Sequence, residues 1–238
     1  RFYVLLFASG GQLWDENYDV TLNAEIGVQV ATLLQIWYSD GIISPDTPNL
    51  VWDGDAALFC NGDVAVKLEW YGWYSYFQDP SSCPAIAGNF GLARGFEGFQ
   101  NEGARPTGWA GAHAFSIPVA SQNKEAAAQL IKFLTSEAVA YDEAQLGFLP
   151  VREDVWTRII ADAGASDVPL DQQRLEIAQL QISEDFKTPP LTDQWIPFSN
   201  LFYPILQSIM LGDVTPQEGM DQAAEATRQL FVDAGLAS

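Results

Sequence analysis

The stretch that decides the fold covers residues 108–152 and opens with GWAGAHAFSIP, Gly108–Pro118. A glycine-rich turn leads into a short apolar strand, and two helices follow before a Gly-x-x-Pro-x-Arg close at 147–152. Apolar residues recur at the i, i+3, i+4, i+7 spacing of an amphipathic helix over 127–134, and Ser136 is placed to cap the second helix. Strands that alternate with helices predict an α/β protein.

The flanking sequence continues this alternation. Residues 2–9 are apolar and strand-like, and a helix is expected from an Asn23 N-cap to a stop at Gly41. A shorter helix should end at Gly62, and residues 63–69 then have the pattern of a strand. Three further elements are expected: a strand near 88–93, a helix near 171–181, and a last helix that begins at the capping box of Thr215 and Glu218.

The negative net charge of the chain argues against polyanionic partners. The 238 residues carry 31 acidic and 11 basic side chains, for a net charge of −20. Nucleic acids and anionic membrane surfaces are bound by basic faces, so neither is expected as a partner. No apolar run is long enough for a bilayer span, and residues 1–7 are too short for a secretory signal. The chain also opens without a methionine, so we expect a mature or truncated piece rather than a complete gene product.

Enzyme chemistry has little support in the sequence. Gly-x-Ser-x-Gly, the Walker loop and the GxGxxG pattern are all absent, so no nucleophile elbow or nucleotide site is predicted. His113 is the single histidine, and its small neighbours favour a buried structural role. Acidic pairs are so numerous in this chain that a glycosidase pair has no predictive value. No cofactor and no metal are expected.

Two cysteines, Cys60 and Cys83, leave two alternatives open. They do not form a CxxC pair, and a chain with one histidine does not provide a zinc ligand set. In an exported protein a disulfide between them would stabilise the fold by roughly 3 kcal/mol. Two buried free thiols are the alternative, because sequence provides no geometry.

Aromatic residues are the first candidates for ligand contact. The chain has eight Trp and eight Tyr, and five aromatic residues fall within the seven positions of Trp70–Tyr76. Tryptophan rings stack on the apolar C–H faces of pyranoses, and carboxylates, amides and arginines bind the hydroxyls. The alternative is that these aromatics pack the core or an interface.

The order of these motifs resembles the family 1 extracellular solute-binding proteins of bacterial sugar importers. Two segments carry the resemblance: the junction Phe59-Cys60-Asn61-Gly62-Asp63-Val64-Ala65-Val66 and residues 108–152. It implies a type II periplasmic-binding-protein-like α/β fold without catalysis. Such a protein captures a sugar or oligosaccharide between two lobes outside the cytoplasmic membrane, and delivers it to the permease of an ABC transporter.

The resemblance also implies ligand-binding positions. Trp73 corresponds to the stacking platform, or Trp70 if the register shifts locally. The backbone of the glycine turn Gly108–Ala112 should approach the ligand. The full set of expected ligand-binding residues is Trp73, Trp70, Trp52, Trp109, Gly111, Ala112, Arg152, Trp195 and Asn200. Alternatives are that Trp52 caps its own helix, Arg152 bridges surface carboxylates, and Trp109 packs between lobes.

The length of the chain departs from the family pattern, in which a long segment precedes the position of Arg1 and supplies most of the first lobe. We expect residues 1–116 to form the first part of the second lobe and 166–238 its returning helices. Residues 117–165 correspond to a segment that normally packs in the first lobe. Its apolar helix faces at 127–134 and 138–146 would be exposed unless the segment is rearranged, pairs with another chain or a second copy, or is covered by a further part of the protein.

Two other functions stay open at the level of sequence. One is a carbohydrate-active enzyme or lectin-like domain that uses the same aromatic wall. The other is a structural, oligomer-forming lobe whose aromatic residues are all interface.

Overall fold

The computed structural model describes residues 1–50, 52–99, 104–109, 114–164 and 169–237. The chain divides into two compact units. Unit 1 comprises Arg1–Asp55, Gly95–Ala110 and Asp185–Ser238, and unit 2 comprises Ala56–Arg94 and Gly111–Glu184. The three segments expected above concern the lobes of a longer fold, and their assignment stays a prediction.

Helices dominate the described residues. They are α1 (Phe2–Ala8), α2 (Glu25–Ser39), α3 (Trp52–Cys60), α4 (Tyr74–Gln78), α5 (Lys124–Leu134), α6 (Glu137–Gln145), α7 (Glu153–Gly164), α8 (Pro169–Leu180), α9 (Trp195–Leu211) and α10 (Pro216–Asp233). Strands β1 (Gly108–Trp109) and β2 (Phe186–Lys187) pair in parallel, with Gly108 opposite Phe186 and Trp109 opposite Lys187.

The expected strand at residues 2–9 is wrong, because this segment forms α1. Six of the seven residues of α1 are buried. A helix that is buried on all sides has a continuous apolar sequence, and such a short run has no periodicity that separates helix from strand.

The strands expected at 63–69 and near 88–93 are also wrong, since both segments are irregular. Gly62, at φ 78°, ends the preceding helix as expected, but no neighbouring strand pairs with either segment in the described part of the chain. A strand needs ladder hydrogen bonds from a partner, which apolar alternation does not provide by itself.

Most helix boundaries follow the local signals. Val139 N–H donates to Ser136 Oγ at 3.4 Å, which confirms the cap of α6. The capping box of α10 is confirmed in both directions between Thr215 and Glu218, each bond being 3.3 Å long. The N-cap of α2 is Ala24, not Asn23. Asn23 instead donates its side-chain amide to Asp221 at 2.7 Å, so a tertiary contact overrides its capping preference.

Unit 1 is built around four packed helices: α1, α2, α9 and α10. Its core is rich in large apolar side chains, each worth about 1.5–3 kcal/mol of burial. They include Phe198, Phe202, Phe231, Leu6 and Met220. From the sequence, the last helix is expected to direct Met220, Ala223, Ala224, Thr227, Leu230, Phe231 and Ala234 inward. Five of these residues are buried, whereas Leu230 is half-buried and Ala234, just after α10, is exposed.

Unit 2 has two smaller cores. The first lies between α6, α7 and α8, around Trp156 and Leu175. The second surrounds a disulfide between Cys60 and Cys83, which answers the question that the sequence left open. On α5 no residue is buried, and Leu130 and Phe133 are exposed, as expected for a face without a cover.

Within the described residues, no helix combines the length and apolar character needed to cross a bilayer. In the same residues no three His, Cys, Asp or Glu side chains come together as a metal site.

Candidate functional site

The aromatic segment, residues Trp70–Tyr76 of unit 2, contains one exposed and one packed indole. It runs through a short 3-10 turn, Tyr71–Trp73, into α4. Trp73 stacks on Phe77, with ring centroids 6.0 Å apart and planes at 26°, and meets Tyr76 edge-on at 5.2 Å. Trp70 is 56% exposed. Trp73 is therefore partly committed to the disulfide core, whereas Trp70 presents its ring to solvent.

Gly72 follows Trp70 closely, with room for a small side chain between them. A Cβ atom added at Gly72 would lie 3.4 Å from Trp70 Cε2 and 3.5 Å from Cδ2 and Cζ2, which is ordinary van der Waals contact. Since Trp70 is 56% exposed, its ring can stack on an apolar ligand surface.

Polar side chains anchor the aromatic segment to the helices of unit 2. The Tyr71 hydroxyl donates to Gln181 Oε1, in the turn that follows α8. Arg174 of α8 is only 3% exposed; it donates to the Gly147 carbonyl at 3.2 Å and lies 4.8 Å above the Tyr74 ring centroid. A buried guanidinium needs such partners, so these contacts fix the inner side of the segment.

The far end of the segment is fixed by a turn before Cys83. Asp79 accepts from the Ser81 hydroxyl at 2.7 and 2.8 Å and from the Ser82 hydroxyl at 2.7 Å. Hydrogen bonds from Ser81, followed by those from Ser82, lower the pKa of Asp79 to about 2. The disulfide then joins this turn to the end of α3, and its two cysteines are 23 positions apart in the sequence.

The second aromatic group lies in unit 1 and is called here the Trp109 cluster: Tyr3, Phe7, Trp109, Trp195 and Phe198. Tyr3 stacks on Trp109, with centroids 5.1 Å apart and planes at 21°. The Trp109 ring also lies parallel to that of Phe7, and its centroid is 5.8 Å from the centroids of both Phe7 and Trp195. Strand pairing of β1 with β2 holds the backbone of Trp109 in place. The cluster is continuous with the core of unit 1.

Burial dominates the electrostatics of this cluster. Tyr3 is 7% exposed, and burial raises its pKa above the ordinary tyrosine value, with a smaller contribution from Tyr203. The hydroxyls of Tyr3 and Ser199 are buried, and neither forms a hydrogen bond of standard geometry. Asn200 and Tyr203, by contrast, are exposed on the outer side of α9.

Arg152 is held by a neighbour on the surface of unit 2. Its Nε and NH2 groups donate to the two carboxylate oxygens of Asp154 at 2.9 and 2.6 Å, and NH1 lies 3.4 Å from the Thr135 carbonyl. The Arg152 guanidinium lowers the pKa of Asp154. This geometry matches the alternative in which Arg152 bridges a surface carboxylate, and its contact with a ligand stays a prediction.

Three expected site residues cannot be placed by their side chains. The backbone of Trp52 begins α3, but its side chain lies outside the described part of the chain. Gly111 and Ala112 lie outside the described residues, as does His113. Of the remaining residues, Trp70 and Trp73 share one segment of unit 2, whereas Trp109, Trp195 and Asn200 belong to unit 1.

The sequence and the fold have clear relatives. Residues 2–141, more than half of the chain, match the family described as bacterial extracellular solute-binding protein. The chain belongs to this family. Membership in an extracellular family implies a location outside the cytoplasm, where a disulfide such as Cys60–Cys83 persists. No curated protein matches the solute-binding chain.

Solved structures confirm the type II periplasmic-binding-protein-like fold. Maltose-bound MalE3 of T. maritima superposes with a TM-score of 0.75 at 20% identity, over 96% of this chain and 56% of that one. A solute-binding protein of Thermotoga lettingae bound to alpha-D-tagatose has a TM-score of 0.76 at 21% identity, over 96% and 55%. One from Agrobacterium radiobacter in complex with ribitol has a TM-score of 0.75 at 18% identity, over 97% and 56%. The chain therefore spans little more than half the length of these structures.

Proposed function

We propose that this chain is part of a sugar-binding or polyol-binding component of an ABC importer, which captures its ligand between two lobes and delivers it to the permease. Family membership supports binding as the activity. Relatives of the same fold were solved with maltose, tagatose and ribitol, all of them polyhydroxylated.

The observation that carries the proposal is the exposed indole of Trp70. Trp70 is more than half exposed within an otherwise anchored segment. Exposure of an isolated aromatic ring to water is unfavourable in free energy. Stacking of the ring on the C–H face of a pyranose removes this unfavourable exposure. We therefore favour Trp70 as the stacking platform, with Trp73 behind it as packing.

Binding without chemistry is the part of the proposal that the electrostatics support. A general acid at neutral pH needs a carboxyl whose pKa is raised. In the described part of the chain, the carboxyl groups whose pKa shifts clearly are all lowered: Asp15, Asp79, Asp154, Glu218 and Asp221. These carboxylates suit hydrogen-bond acceptance.

The exposed apolar face of unit 2 supports the assignment of 117–165 to a first lobe. Leu130 and Phe133 on α5 and Leu146 and Phe148 after α6 are all exposed. Removal of these large apolar side chains from water would be favourable. We propose that the part of the family fold with no counterpart in these residues covers this face; self-association of the chain is the alternative.

Isothermal titration calorimetry tests the function. A protein extended to the full length of the family should bind maltose, tagatose or ribitol with micromolar affinity, and the 238-residue chain should bind weakly because half of the contacts are missing. Trp70→Ala should weaken binding at least about tenfold, or 1.4 kcal/mol. Ile182→Ala is the control, since its side chain is also exposed in the same unit but lies outside the aromatic segment and outside the apolar face of α5 and α6.

Two results would contradict the proposal. One is the absence of binding to any of these ligands by the extended protein at millimolar concentration. The other is hydrolysis of a chromogenic glycoside that a single Asp or Glu substitution abolishes, which would favour the carbohydrate-active enzyme. Micromolar binding by the 238-residue chain alone would overturn only the proposal of a missing lobe.

A further inference from the structure

A buried ion pair precedes the exposed tryptophan of unit 2. Lys67 Nζ lies 2.9 Å from Glu69 Oε2, and the two side chains are only 3% and 12% exposed. Lysine and glutamate are almost never buried to this extent unless they are paired. The pair lies in the irregular segment after Gly62, so no sheet ladder fixes the backbone there.

Net stability does not account for such a pair. Desolvation of two charges offsets most or all of their mutual attraction, and apolar side chains of similar size often stabilise a protein more. A buried pair is better explained where it selects one conformation among several. The question is therefore which conformation depends on Lys67 and Glu69.

The second oxygen of Glu69 gives the connection to Trp70. Glu69 Oε1 accepts the Trp70 backbone N–H at 2.8 Å, while Oε2 faces Lys67. Lys67 thus holds the carboxylate, and the carboxylate holds the Trp70 backbone. Together the two contacts restrict the backbone from which the Trp70 ring projects.

We propose that the Lys67–Glu69 pair positions Trp70 so that its exposed indole face is already oriented for a sugar ring. Lys67 and Glu69 act as positioning residues, and the ligand surface recognised is the apolar face of a pyranose. This inference rests on the proposed function for its ligand, but the order of Trp70 in the free protein can be measured without any ligand. Pre-orientation raises affinity because less side-chain freedom is lost on binding.

Fluorine NMR of protein labelled with 5-fluorotryptophan tests the inference in the free protein. Trp70→Phe identifies the Trp70 resonance by its loss. In the unsubstituted protein this resonance should be narrow and shifted from that of the free amino acid. Glu69→Gln removes the negative charge of the pair, and the Trp70 resonance should broaden and move toward that of the free amino acid.

A double substitution guards against simple unfolding. Lys67→Met with Glu69→Gln removes both charges of the pair, so the circular dichroism spectrum should be unchanged while the Trp70 resonance still broadens. Glu137→Gln is the matched control, because it breaks an exposed pair with Arg158 in the same unit and should leave the resonance unchanged. The inference is overturned if, in both Glu69 variants, the Trp70 resonance stays as narrow as in the unsubstituted protein and keeps the same chemical shift.

Maltose titration of the extended protein separates this inference from the proposed function. Where maltose binds, the double variant should raise the Kd at least about tenfold. An unchanged Kd would also overturn the inference. Absence of binding by the unsubstituted protein would count against the proposed function alone, since the fluorine spectrum still decides whether the pair orders Trp70.

Discussion

The aromatic segment of unit 2 and the Trp109 cluster of unit 1 use similar residues in opposite ways. In the Trp109 cluster the rings stack on one another, and Tyr3 is almost fully buried among them. In the aromatic segment Trp73 and Tyr74 pack inward, while Trp70 stays exposed to solvent. Ring type therefore says little about role. Exposure separates a core ring from a ligand-facing ring.

The largest expected effect is the loss of Tyr3. Tyr3→Ala should destabilise unit 1 by about 3–4 kcal/mol, because a buried ring that packs on several others is removed from the core. Urea unfolding followed by tryptophan fluorescence measures the change. Tyr3→Phe is the control and should change stability by less than about 1 kcal/mol, since the hydroxyl has no well-formed hydrogen bond. Equal losses for both variants would contradict a packing role.

Removal of the disulfide should have the next largest effect and should be confined to unit 2. Cys60→Ser with Cys83→Ser opens a loop that contains the whole aromatic segment, at a cost of roughly 3 kcal/mol. Hydrogen exchange should then increase in peptides from residues 56–94 and stay unchanged in those from α9 and α10. Equal loss of protection in both units would show that the two units do not open independently of each other.

Trp70 should contribute little to stability, in contrast to Tyr3. Trp70→Ala is expected to shift the free energy of unfolding by no more than about 0.5 kcal/mol, because an exposed side chain with few packing partners is removed. The same substitution should weaken ligand binding, as described above. A loss of stability similar to that of Tyr3→Ala would show that Trp70 is a core residue.

The smallest expected effect is that of acid, which should loosen the turn at the end of the aromatic segment. The folded-state pKa of Asp79 is lowered to about 2, so its stabilising contribution is present above the ordinary aspartate pKa and is lost as pH falls from about 4 to about 2. Hydrogen exchange of the 79–87 turn should increase over that range. Asp79→Asn should remove the pH dependence, and a variant that keeps it would assign the effect to another carboxyl.

Local chemistry made part of the fold predictable. Ser136 and the Thr215–Glu218 capping box lie where sequence reasoning placed them, because a cap depends on residues three positions apart. The strand expected at residues 2–9 is a helix, because a fully buried short run has no polar face to reveal its period. The strand expected at 63–69 lacks a partner, and pairing is not a local property.

The candidate site was predictable only as a segment. Aromatic density pointed to Trp70–Tyr76, and the resemblance favoured Trp73 ahead of Trp70. In the structure Trp73 packs on Phe77, and Trp70 is the exposed ring. Two indoles three positions apart are equivalent in a sequence, and only the packing around them distinguishes their roles.

By itself the sequence determined the solute-binding family, the helix caps and the aromatic density, since each depends on residue identity and short spacing. The tertiary structure alone decided that Cys60 bonds to Cys83, that the first segment is a buried helix, and that Lys67 and Glu69 pair beneath an exposed Trp70. These outcomes depend on burial and on contacts between distant residues. Water is excluded by the whole fold, so the environment of a side chain cannot be assigned from its neighbours in the chain.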